Sequence, residues 1–194
     1  MSNILNFLIT TFVSLFCATL FIRAWIFWRR IPAFNPYCTF IYQLTDFVIV
    51  PVRKIISSSN HIDFPSLVVA YITCTLQALI SRLLLSSDTV DNTDTNLLWL
   101  PFEGLYLFLH NFFSCVFWLG LMYAILSWVA PLSPFQSFLR ALIEPVLEVI
   151  RHYMPKVLRN APIDFSLMAL MLLIIIAQML VDYLLMTFGS LYLS

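Results

Sequence analysis

Two arginine–aspartate pairs are the groups in this chain best placed to do chemistry. Arg53 precedes Asp63, Arg151 precedes Asp164, and each aspartate stands at the mouth of a hydrophobic run. A fixed cation and a carboxylate beside a membrane face have two uses. They can bind a charged ligand, since perturbed charges gather at functional sites. They can also hold one another, because a charge near hydrocarbon is costly unless paired. The second use makes each pair a latch that clamps one segment to the start of the next span. Asp63 and Asp164 also suit a simpler duty as helix N-caps, where an acid complements the macrodipole. A second polar set lies inside the hydrophobic runs: Gln77, Gln178 and, four residues on and on the same helical face, Asp182. A buried amide in lipid usually bonds another helix, for about 1 kcal/mol or less; the functional alternative is a pair of polar groups lining a pathway. Arg23 falls near the end of the first run and is expected to snorkel toward Arg29 and Arg30.

Other chemistries find little support. Cys17, Cys38, Cys74 and Cys115 show no C-x-x-C spacing, and three of them fall inside hydrophobic runs, which supports neither disulfides nor zinc. His61, His110 and His152 are scattered, whereas haem needs axial ligands facing one cavity. Three glycines, Gly104, Gly120 and Gly189, build no phosphate loop, dinucleotide fingerprint or G-x-x-x-G face. No catalytic residue, cofactor or metal is assigned, and an enzyme is not expected.

The elements that must position these groups follow from composition. Hydrophobic residues make up 61% of the 194 positions and charged residues 10%, against roughly 25% charged in soluble domains. The formal net charge is zero, which removes the case for a nucleic-acid partner. Four runs are long enough to cross a bilayer, which takes about 20 apolar residues: about 4–28, 64–85, 100–129 and 165–188. The first has no basic residue before Arg23 and no small-x-small cleavage pattern, so it is expected to be a retained helix rather than a signal peptide.

The chain also repeats itself. With Pro36 set on Pro134, Phe40 falls on Phe138, Leu44 on Leu142, Asp46 on Glu144, Val48 on Val146 and Arg53 on Arg151. After a three-residue insertion, Ile62-Asp63-Phe64 falls on Ile163-Asp164-Phe165, and Gln77 on Gln178. Residues 1–85 and 99–194 are thus two copies of one unit, joined by an acidic linker at 86–98. Each copy holds two spans, so both enter the membrane in the same sense. A parallel duplication of this kind implies a pseudo-twofold axis along the membrane normal.

Basic residues set the orientation. Arg29, Arg30, Arg53 and Lys54 lie between the first two runs, and Arg140, Arg151, Lys156 and Arg159 between the last two. The linker carries Asp88, Asp91 and Asp94 with no base after Arg82. Lys and Arg in short loops stay cytoplasmic, which places both connectors inside and both termini and the linker outside. Arg82 opposes this but does not outweigh eight. Within the connectors, Asn35-Pro36 and Ser133-Pro134 read as an N-cap followed by proline at the first helical position. Phe135, Phe138, Leu139, Leu142, Val146, Leu147, Ile150 and Tyr153 then form one face, and Arg140, Glu144, Glu148 and Arg151 the other. Such a helix lies in the headgroup layer or packs under the bundle, with kinks expected at Pro51 and Pro145.

Asn-Pro, acid-Pro, and Ile-Asp-Phe before a hydrophobic span together resemble the YggT family of small membrane proteins, whose relatives include division-associated YlmG proteins and plastid proteins for cytochrome b6 haem attachment. The matching residues are Asn35, Pro36, Arg53 and Asp63 in the first copy, and Pro134, Glu144, Pro145, Arg151, Asp164 and Ser166 in the second; Asp46 stands opposite Glu144. The first copy has Phe47 in place of the acid-linked proline. The resemblance implies a bacterial inner-membrane protein linked to osmotic or ion homeostasis, envelope organisation or division, or cofactor assembly. The fold expected is an all-α integral membrane protein of four transmembrane helices in two tandem parallel repeats, each with a cytoplasmic interfacial amphipathic helix. Its partners are expected to be the lipid bilayer and other membrane proteins or a second copy of itself, with no soluble small-molecule substrate. A small oligomeric channel or transporter subunit is the alternative.

Overall fold

The computed structural model describes residues 2–32, 35–56, 62–86, 99–153 and 165–193. Asp164 and the acidic stretch 87–98 lie outside them. All regular structure among the described residues is helical: α1 (Ser2–Arg29), α2 (Pro36–Arg53), α3 (Phe64–Ser86), α4 (Leu100–Val129), α5 (Pro134–Tyr153) and α6 (Phe165–Leu193). Four of these, α1, α3, α4 and α6, are long and apolar enough to cross a membrane. The protein is an all-α integral membrane protein, and α2 and α5 connect its spans in pairs.

Local chemistry sets the helix ends. Asn35 Oδ1 accepts the Tyr37 N–H at 3.0 Å with Pro36 beside it, and Ser133 Oγ accepts the Gln136 N–H at 3.1 Å ahead of Pro134's helix. Each satisfies one amide that the first turn leaves free. At the end of α1, the Arg30 N–H donates to the Phe27 carbonyl and the Ile31 N–H to that of Ile26, both at 3.1 Å. This is the Schellman arrangement, and it holds Arg30 at φ 52°, where glycine is usual. Pro51 and Pro145 lie inside α2 and α5, and both helices run on through them.

Side-chain contacts give the packing. Asn6 meets Ser81, Cys17 meets Cys74 and Arg23 meets Asp63, so α3 runs antiparallel to α1. Tyr106 meets Asp182 and Ser114 meets Gln178, so α6 runs antiparallel to α4. The halves join mainly where α4 lies against α3. There the Tyr71 hydroxyl donates to the Pro101 carbonyl at 3.1 Å, and a Cβ on Gly104 would collide with Thr75. A glycine is required at this crossing.

Two features differ from the sequence-based expectation. A pseudo-twofold axis would demand an α1–α6 interface as extensive as that of α3 with α4. Among the described residues no comparable contact forms; the principal neighbours of α6 there are α4 and α5. The halves are therefore joined edge to edge rather than closed on themselves. Second, α2 does not lie flat under the bundle. Cys38 and Ile41 pack with Ile26, but Ile49 packs among Cys17, Leu20 and Phe21, and the Phe47 ring lies 6.1 Å from Phe16. The helix climbs back along α1.

The two connector helices bury different residues at matched positions. Phe138 of α5 is 5% exposed and stacks on Tyr37 at 5.4 Å, whereas its counterpart Phe40 on α2 is 64% exposed. Leu139, Leu142, Ile143 and Leu147 are buried with Phe138, while Tyr153, at the far end of the expected face, is exposed. The difference follows from the edge-to-edge joint, which covers α5 with the first half.

A buried arginine cluster as candidate functional site

Arg23 lies six residues inside the end of α1, about 9 Å along its axis, and its side chain is 2% exposed. It does not snorkel toward Arg29 and Arg30. Its guanidinium is held in place instead, with Nη1 2.8 Å from Asp46 Oδ1 and Nε 3.6 Å from Asp63 Oδ2. Nη1 also donates to Thr45 Oγ1 at 2.5 Å, and the cation sits 4.8 Å from the Tyr42 ring centroid. Depth alone would have let this arginine reach water. Two acids brought to its own level remove the need.

The spacing of α2 delivers those partners. Tyr42, Thr45, Asp46, Ile49 and Arg53 recur at three, four or seven residues and share one face. That face turns toward α1 and the start of α3. Asp63, 0% exposed, stands directly before α3, and its carboxylate receives Arg53 Nη2 at 3.2 Å on Oδ1 and the Ser66 hydroxyl at 2.6 Å on Oδ2. Arg53 and Asp63 therefore come together as the latch reading requires, with Arg23 as a third member. Asp46 and Arg53 are roughly half exposed, at 46% and 43%. Two cations and two anions cancel, the inner members buried and the outer members at the rim. Burial pushes the Tyr42 hydroxyl above its ordinary range, an effect that the nearby Arg23 charge partly offsets.

The second half holds a reduced version. Arg151 Nη1 meets Glu144 Oε1 at 2.8 Å and Arg151 Nε donates to Ser166 Oγ at 3.1 Å, while Arg140 lies 3.9 Å from Glu144. Asp164 falls outside the described residues. Aligned by helix ends, Arg29 on Val129, α4 carries Tyr123 where α1 carries Arg23, so among the described residues the buried cation belongs to the first half. Pro36 and Pro134 open their helices, and Pro145 stays inside α5.

The intramembrane polar residues are not gathered. Gln77 on α3 and Gln178 on α6 sit on helices that form no extended contact. Gln77 is buried with its Oε1 unpartnered, and Gln178 donates to Ser114 Oγ on α4 at 2.9 Å. One turn further along α6, Asp182 accepts from the Tyr106 hydroxyl at 3.0 Å and lies 3.6 Å from His110 Nδ1. The register places this group opposite Asn6 and Ser81 in the first half, which bond at 2.9 Å. A neutral pair in one half is thus matched by a titratable trio in the other. Arg82, which opposed the charge rule, pairs with Glu103 at 2.6 Å.

Sequence reasoning missed Arg23, Thr45 and Tyr42 as site residues, and Tyr106, His110 and Ser114 as partners. A search for a counter-ion to the only arginine inside the first run would have led to Asp46 or Asp63. No signal marked Tyr106. Among the described residues, no three His, Cys, Asp or Glu side chains converge as a metal site. The thiols of Cys17 and Cys74 touch at 3.5 Å in the core.

Known proteins resemble this chain over nearly its whole length. A family model described as CCB3/YggT matches residues 2–84 and 102–185. The uncharacterized protein YggT of Escherichia coli K12 is 32% identical over 192 residues, covering 98% of this chain and 96% of its own length. An uncharacterized protein of Vibrio alginolyticus is 32% identical over 169 residues (87% and 88% of the two chains), and one of Haemophilus influenzae 28% over 168 (86% and 85%). No solved structure matches the chain significantly.

Proposed function

This chain belongs to the CCB3/YggT family, and from that premise we propose that it is a non-enzymatic protein of the bacterial inner membrane, acting in osmotic or ion homeostasis or in assembly of other membrane complexes. The observation that carries this reading is the closed charge balance around Arg23. Every acid there is engaged by an arginine, so the cluster acts as a latch that locks α2 against α1 and α3. What the chain then offers its surroundings is apolar helix surface, which suits lipid and other membrane helices. Both basic connectors face the cytoplasm, and both termini and the acidic linker face outward.

Crosslinking in native membranes, followed by identification of captured proteins, tests the reading. Capture of defined membrane proteins, lost on replacing Asp63 by Asn, supports it. Unchanged capture by a variant whose α2 has come free would overturn the latch.

A small channel or transporter subunit is the second reading, and the Tyr106–Asp182–His110 group favours it. An acid inside a membrane span is by default a functional candidate. Ion flux from purified protein in vesicles, abolished in Asp182→Asn, would support transport; equal flux in empty vesicles would exclude it.

A further inference from the structure

The joint between the halves leaves one edge of each half open, and the open edges match the closed ones. In the interior joint, Gly104, Phe108 and Cys115 of α4 pack toward α3 and α1: Gly104 touches Thr75, and the Phe108 ring lies 6.3 Å from Tyr71 and 5.1 Å from Phe21. Carried back by the offset of 100 that sets Arg29 on Val129, these positions become Ile4, Leu8 and Leu15 on α1. All three are exposed. The same offset, with 101 for α3 on α6, sets the Tyr106–Asp182 bond on the Asn6–Ser81 bond, so the register holds in space.

The other side of the joint behaves alike. Tyr71 and Thr75 of α3 face α4, and Ala78, three residues on along the same helical face, is fully buried. Their counterparts on α6 are Leu172, Ile176 and Met179, and all three are exposed. One chain therefore carries an unused copy of each side of its own interior interface: α1 offers the face that α4 uses, and α6 the face that α3 uses.

We infer that a second copy of this chain closes these edges, α1 of each molecule packing on α6 of the other. A joint that is not twofold, repeated head to tail, must either close into a ring or run on as an open filament. Both halves cross the membrane in one sense, so the rotation at each joint runs about the membrane normal, and the ring is the closed form of that repeat. Two chains supply four units and use both free edges once. Ile4 stands where the interior joint has Gly104, so the helix axes between molecules lie farther apart than α3 and α4 do. The lateral faces that remain, such as Ile72 and its counterpart Leu173, are exposed in both halves and face lipid.

This inference rests on the reading that the chain works through association, but its test reads the contact directly and uses no functional assay. Ile4→Cys and Ile176→Cys are placed in separate, differently tagged copies and co-expressed, and the membranes are oxidised with copper phenanthroline. A disulfide-linked dimer carrying both tags is expected, as it is for Leu8→Cys with Leu172→Cys. Ile4→Cys with Leu173→Cys is expected to give at least fivefold less, because Leu173 points away from the joint. Absence of the mixed dimer, or equal yield from the Leu173 pair, overturns the inference. The unsubstituted protein in native lipid particles provides a second reading: a mass of one chain per particle overturns it equally, and two chains support it. Capture of other membrane proteins by a chain that fails both readings would leave the proposed function standing without the ring.

Discussion

Asp63 is the residue on which the first half depends. It is fully buried and holds both Arg23 and Arg53. Removing one partner of a buried ion pair leaves an uncompensated charge and costs about 3–5 kcal/mol. Asp63→Asn should therefore destabilise the detergent-solubilised protein by that order, read from its unfolding midpoint in SDS titration. Arg53→Ala removes a half-exposed partner and should cost about 1 kcal/mol or less. If the two variants melt alike, the cluster is not the latch described. Gln178→Leu gives up a single interhelical hydrogen bond to Ser114 and should cost about 1 kcal/mol at most. The pairing of Arg53 with Asp63 was legible in the sequence, because an acid before a span needs a cation and only a few were near. Arg23 was not. Snorkelling is judged from distance to the helix end, and that distance says nothing of an acid arriving from another helix.

Helices with matched sequences do not carry matched loads. Phe138→Ala opens a cavity in the joint and should cost about 3–5 kcal/mol, while Phe40→Ala trims an exposed ring and should cost far less in the same unfolding measurement. Equal losses would mean that the halves are packed alike. At the end of α1, Arg30 holds a left-handed conformation that costs an L-residue about 1–2 kcal/mol. Arg30→Gly relieves it against the entropy glycine adds to the unfolded chain, so stability should rise by about 0.5–1 kcal/mol, read as a higher midpoint. A fall would contradict the capping geometry. The four spans and both capped connector helices could be read from run length and from Asn35-Pro36 and Ser133-Pro134. The climb of α2 along α1 could not, since an amphipathic pattern names a buried face without saying what lies against it.

For the molecule as a whole, periodicity reveals the duplication but not how the copies meet. Register puts Phe40 on Phe138 without telling that one is covered and the other bare. The twofold expected from parallel repeats gives way to an edge-to-edge joint, in which α3 and α4 pack closely at Gly104 and Thr75. Orientation rests on charge. Arg82, the one base that opposes the proposed topology, is paired with Glu103, and that topology follows the connectors' arginines and lysines. A C-terminal reporter placed after Ser194 tests that arrangement most directly. Under the proposed topology, which puts the end of α6 outward, active alkaline phosphatase and a dark green fluorescent protein at this position are predicted. Bright fluorescence with inactive phosphatase would put the terminus in the cytosol and contradict the account.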